Sequence, residues 1–132
     1  MAHKARKVVG LEIVPEAVAD AQSNAELKQH CKCGISPGRC RKTTARLVRR
    51  GLRPDVVELD PPRRGCHIQV LETIADTGVP RVIYVSCDPG TLARDLRRLV
   101  DCGYIVEGVQ SVDMFPHTQH VETVVIINIK HI

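Results

Sequence analysis

The chain has 132 residues, 43% of them hydrophobic and only three aromatic (Tyr84, Tyr104 and Phe115), which is enough for one domain with a real core. No apolar run approaches the ~18 residues of a membrane-spanning helix, and the opening MAHKARKVVG lacks the apolar centre of a secretory signal, so a cytoplasmic protein is expected, with no membrane partner. The formal charge of +4 suggests nucleic acid, yet residues 28–46 carry six Lys or Arg and no acid, and without them 13 basic residues face 15 acidic ones.

KVVGLEIV (7–14) reads as a strand with Glu12 near its carboxyl end. Pro15 followed by EAVADAQSNAEL reads as a helix, proline being favoured in a first turn. Residues 28–46, KQHCKCGISPGRCRKTTAR, have no clear period, and they hold Cys31, Cys33 and Cys40, half of the six cysteines. TTARLVRRG reads as a helix closed by Gly51. PDVVELD (54–60) is a second strand, stopped by Pro61-Pro62. HIQVLETIADTG is a helix ended by Gly78, and PRVIYVSC (80–87) is a third strand. PGTLARDLRRLVDCG is a helix with Leu92, Leu96 and Leu99 on one face and Gly103 at its end. YIVEGVQSVDMF and VETVVIINIK are two closing strands, joined by a connection too short for a parallel crossover. Strand–helix alternation with such an ending predicts an α/β fold: a mostly parallel sheet, helices on its faces, and an antiparallel terminal strand.

Four side chains stand where such folds place chemistry, at strand ends along the carboxyl edge of the sheet. Asp60 leaves its strand just before two prolines that stiffen the backbone. Cys87 ends one strand immediately before a helix N-terminus, a setting that favours the nucleophilic thiolate. Glu122 opens a strand at the same edge and is a candidate base. Glu12 follows a strand in the position from which an acid binds ribose hydroxyls. Each has a plainer reading: a buried core thiol, a strand-ending turn, a solvated acid. Cys66 and Cys102 lack such settings and read as structural. His117, His120 and Glu122 have some ligand spacing, but a loop without further acids is weak evidence for zinc, and no metal is expected.

Taken together, GLEIVPEAVADAQSNAEL, PDVVELDPPRRG, RVIYVSCDPGTLARDL and GYIVEGVQSVDMFPHTQHVETVV resemble, in order, the C-terminal part of the RNA uracil-5-methyltransferase family. Ser-Cys-x-Pro and His-x-x-His-Val-Glu are the specific elements. Asp88 and Gly90 depart from the usual Asn and Ala or Glu. The resemblance implies a Rossmann-like domain, S-adenosylmethionine as cofactor, and an RNA substrate, ribosomal or transfer, with 23S rRNA the expected target. It implies that Cys87 adds to C6 of uracil, that C5 then takes the methyl group, and that Glu122 removes the C5 proton so that Cys87 can leave. It also implies that Asp60 contacts the reaction site and Glu12 the cofactor ribose. A monomer is expected.

Two departures qualify this. The family's earlier strand and glycine-rich loop have no counterpart before residue 8, so the chain reads as part of a catalytic domain, 1–132, inactive alone. Residues 28–46 do not match the expected strand and Gly-Asp or Gly-Asn turn. Read one base out of frame with suitable codons, Lys28 to Ala45 becomes an alternating strand, a Gly-Asp turn and an amphipathic helix start. That frameshift reading predicts that 28–46 are poorly ordered or lie off the sheet. The competing reading is a non-catalytic cysteine-rich RNA-binding module with 28–46 as its basic patch, which the scarcity of aromatics for base stacking weakens.

Overall fold

A computed structural model describes residues 5–27, 33–38, 40–114, 117–118 and 121–130. The chain divides into two compact units, 1–47 and 48–132. Among the described residues no helix is long and apolar enough to cross a membrane.

In the first unit, β1 (Val8–Glu12) leads through α1 (Pro15–Leu27) to β2 (Cys33–Pro37). The two strands pair in parallel from Val8↔Cys33 to Glu12↔Pro37, a βαβ unit with Val18 of α1 buried. The Gly38 N–H continues the ladder by donating to the Glu12 carbonyl at 2.9 Å. For Cys33–Pro37 this corrects the expectation of a segment off the sheet, while 28–32 and 39 lie outside the described residues. A parallel ladder is made by the backbone, so a five-residue strand forms on β1 although its side chains do not alternate. Helix α2 (Cys40–Arg49) also begins earlier than the sequence pattern suggests.

The second unit contains β3 (Val56–Leu59), α3 (Ile68–Thr77), β4 (Arg81–Ser86), α4 (Pro89–Asp101), β5 (Tyr104–Val112) and β6 (Glu122–Ile129). The strand order is β3-β4-β6-β5. β3 and β4 are parallel, whereas β6 is antiparallel to both β4 and β5. The α/β class and the antiparallel last strand are as expected. That strand lies inside the sheet, however, so antiparallel pairings are as numerous as parallel ones across the two sheets.

Alternation decides which side of the sheet is buried. Val82 and Tyr84 of β4 and Val125 and Ile127 of β6 point inward against Leu71 and Ile74 of α3 and Leu92 and Leu99 of α4. Burial of such side chains stabilises by roughly 1.5–3 kcal/mol each. Gly78 closes α3 as the sequence predicts, whereas His67, read as the first residue of that helix, is its cap, its Nδ1 accepting from the Gln69 N–H.

Candidate active site

The carboxyl ends of β3 and β4 and the start of β6 share one edge of the four-stranded sheet. Leu59 is level with Tyr84 and Ser86 with Thr123. Ser86 and Thr123 both turn their side chains to the buried face. Ser86 is the last paired residue of β4, and Cys87 follows it beyond the ladder, while Glu122, one residue before Thr123, opens β6 and pairs with Val112 of β5. Two sequence-predicted residues, 35 positions apart, thus flank the last pair of this ladder, one following Ser86 and the other preceding Thr123.

The backbone around Cys87 is fixed by its neighbours. Ser86 Oγ accepts from the Asp88 N–H at 3.1 Å and donates to the Asp88 carbonyl at 3.0 Å, clasping the turn with Cys87 at its centre. Asp88 is the N-cap of α4, its Oδ1 accepting from the Thr91 N–H at 2.8 Å, and Pro89 follows at the first helical position. That hydrogen bond, above all, holds the Asp88 carboxyl below the usual carboxylate range. Aspartate and asparagine cap equally well, so the departure at residue 88 costs the helix nothing. Cys87 itself is half-buried just ahead of this helix start.

Asp60 is exposed where β3 ends. The chain then turns over Pro62–Gly65, the Gly65 N–H donating to the Pro62 carbonyl at 2.8 Å. This loop is tied to α4 by three bonds. Thr91 Oγ1 donates to the Arg63 carbonyl at 2.9 Å, Arg94 Nη2 to the Arg64 carbonyl at 2.9 Å, and the Cys66 N–H to Asp95 Oδ2 at 2.7 Å. Tyr84 from the floor of β4 donates to the same Asp95 oxygen at 2.6 Å. Burial, followed by that bond, pushes the Tyr84 phenol far above its ordinary range. Sequence reasoning missed Asp95 and Tyr84. A signal was present: an acid at 95 sits within the Leu92–Leu96–Leu99 stripe, on the face that must be buried.

Glu12 belongs to the first unit and ends β1. Its Oε1 accepts from the Val14 and Ile13 N–H groups at 2.9 and 2.6 Å, and these bonds hold its carboxyl below the usual range. The second oxygen, Oε2, takes no part in those bonds. Of the zinc alternative, His120 lies outside the described residues, His117 has a positive φ of 69°, and no group of three His, Cys, Asp or Glu among the described residues is arranged to hold a metal. Cys31 of the cysteine-rich alternative also lies outside them.

Comparison with known proteins gives this edge a context. The chain is 47% identical over 130 residues to an uncharacterized RNA methyltransferase of Oceanobacillus iheyensis, covering 98% of this chain and 28% of that protein. It is 46% identical over 131 residues to one of Halalkalibacterium halodurans, covering 99% and 29%. The chain thus spans less than a third of the length of these relatives. Among solved structures, a Pyrococcus abyssi tRNA (uracil-54, C5)-methyltransferase in complex with S-adenosyl-L-homocysteine superposes with a TM-score of 0.78 at 28% identity, over 96% of this chain and 30% of that one. Residues 47–130, which hold Asp60, Cys87 and Glu122, match the model of the family described as tRNA (Uracil-5-)-methyltransferase, and the chain belongs to that family.

Proposed function

We propose that this chain carries the nucleophile and the base of an RNA uracil-C5 methyltransferase that uses S-adenosylmethionine. The observation that supports it best is the antiparallel register ending at Ser86↔Thr123, beyond which the next positions are Cys87 and Glu122. A thiol and a carboxylate at one sheet edge suit the roles of nucleophile and base acting on one small ring.

C5 of uracil is a weak nucleophile. The Cys87 thiolate adds to C6, and the displaced π electrons pass to O4 as an enolate. That enolate makes C5 nucleophilic, and C5 bonds to the incoming methyl group. Glu122 then takes the C5 proton, the C5–H electrons restore the C5–C6 double bond, and the bond to sulfur breaks to release Cys87 as thiolate. The cofactor supplies an electrophilic methyl group on a sulfonium. Among this chain's residues, Glu12 with Oε2 outside its local bonds suits a ribose hydroxyl, and the exposed Asp60 suits the polar groups at the reaction end. The substrate is ribosomal or transfer RNA, with 23S rRNA the first to test.

The two roles separate by step. The experiment uses a full-length enzyme in which this chain replaces the matching part of the Oceanobacillus iheyensis relative. Cys87→Ala gives no covalent protein–RNA species. Glu122→Gln accumulates one, seen as a slow-migrating band on a denaturing gel, because removing a general base costs about 10²–10⁴ in rate. Turnover of Glu122→Gln at the parent rate, or adduct formation by Cys87→Ala, refutes the assignment.

A further inference from the structure

Asp95 takes no part in the chemistry above, yet it is the only buried acid among the described residues, 1% exposed. Its two oxygens are fully engaged. Oδ2 accepts from the Tyr84 hydroxyl at 2.6 Å and from the Cys66 N–H at 2.7 Å. Oδ1 accepts from Arg94 Nε at 2.9 Å and pairs with Nη2 at 2.8 Å. A buried ion pair is often no more stabilising than well-packed apolar side chains, and leucines flank this position on the same helix face. Stability alone therefore gives no reason for an acid here. What the carboxylate adds is direction: its partners come from the floor of β4, from α4 itself, and from the loop that starts with Asp60. Arg94, held by Oδ1, carries the grip one residue further, to the Arg64 carbonyl at 2.9 Å.

We infer that Asp95 is a positioning residue that locks the Asp60 loop onto the helix following Cys87, so that the two site segments move as one body. The inference rests on the roles proposed above for Asp60 and Cys87. Because Tyr84 and Cys66 share Oδ2 while Arg94 uses Oδ1, Asp95→Asn has a selective effect. The amide oxygen can keep Tyr84 and Cys66, but its NH₂ then faces the Arg94 donors, and the arginine arm is released.

Hydrogen exchange measured by mass spectrometry on the full chain reads this directly. In Asp95→Asn, peptides covering residues 63–67 exchange about tenfold faster, the scale of a lost hydrogen bond to a charged group, while peptides from α3 exchange as in the parent. Arg94→Gln, at a half-exposed position, gives the same local change should Asp95→Asn fail to fold. Unchanged exchange at 63–67, or acceleration spread evenly over α3, α4 and β4, overturns positioning. A second readout uses methyl transfer by the full-length enzyme. The effects of Asp95→Asn and Asp60→Ala on kcat are less than multiplicative, since a loosened Asp60 has less to lose; multiplicative effects overturn the inference. Local loosening together with a parent enzyme that methylates no uridine supports the positioning device and refutes the proposed function, so the two fail separately.

Discussion

Gly65→Ala tests how tightly the Asp60 loop is fastened. Gly65 is buried with φ +78°, and a left-handed backbone costs an alanine about 1–2 kcal/mol. Its new Cβ would lie 2.5 Å from Arg94 Nη2, 2.6 Å from Asp95 Oδ2 and 3.1 Å from Thr91 Cβ. Arg94 is long and half-exposed, so its tip can retreat cheaply. The Asp95 oxygen cannot, because shifting it loosens its bonds to Tyr84 and the Cys66 N–H at once. Leaving such buried groups badly paired costs about 1–3 kcal/mol. The sum is about 2–5 kcal/mol, a large share of the roughly 5–15 kcal/mol that holds a typical domain together. The assay is urea unfolding followed by circular dichroism. Gly103→Ala is the control, since φ is +91° there but no atom lies within 4 Å of the added Cβ, leaving only the backbone penalty. If Gly65→Ala is no more destabilising than Gly103→Ala, the clasp around Asp95 is not as tight as its geometry.

Both tyrosines have phenols raised by burial, and the chain has no tryptophan, so alkaline titration at 295 nm reports them alone. A raised folded pKa means that stability is whole below the ordinary phenol value and is lost as pH climbs beyond it. Phenolate therefore appears together with unfolding, and a reversible rise near pH 10 with native dichroism would contradict this. Tyr84→Phe leaves Asp95 Oδ2 one donor short and destabilises by about 1–3 kcal/mol in denaturant titration; a neutral change would mean that the bond adds nothing. Asp88 has a lowered carboxyl, so its contribution is complete at neutral pH and fades as pH falls through the acid range. Asp88→Asn keeps the cap and flattens that part of the pH dependence of Tm, whereas Asp88→Ala lowers Tm at pH 7; equal behaviour of the two variants would deny the cap. The frameshift reading of residues 28–46 predicts that replacing Lys28–Ala45 with the matching stretch of the Oceanobacillus iheyensis relative raises Tm, and an unchanged Tm counts against it.

Most elements were legible because side-chain pattern and end signals agree: Leu92, Leu96 and Leu99 at helical spacing, Gly78 closing α3, prolines after β3. That Cys87 and Glu122 flank one sheet edge could be guessed from strand ends, but the Ser86↔Thr123 register beside them could not, because it depends on β6 entering beside β4. Strand β2 was illegible since its pairing is a backbone property and Gly34 and Pro37 break any alternation. Glu12 folding back onto Ile13 and Val14 depends on the direction of two N–H groups, which residue order does not encode. Asp95 was hidden by its company: a charge inside a leucine stripe looks like an interruption until its donors are seen.

The position of β6 has a consequence during synthesis. It is the last described strand to leave the ribosome, yet it lies between β4 and β5, which are not bonded to each other. At the usual translation rate of about 5–20 residues per second, roughly two to nine seconds separate the emergence of Cys87 from that of Lys130. Throughout that interval β4 offers a bare, apolar edge beside its thiol, open to a strand from any neighbouring nascent chain. Ribosome stalling or a premature stop before Glu122 therefore yields an aggregation-prone product, and a trigger that slows translation there acts on the yield of folded protein before it acts on catalysis.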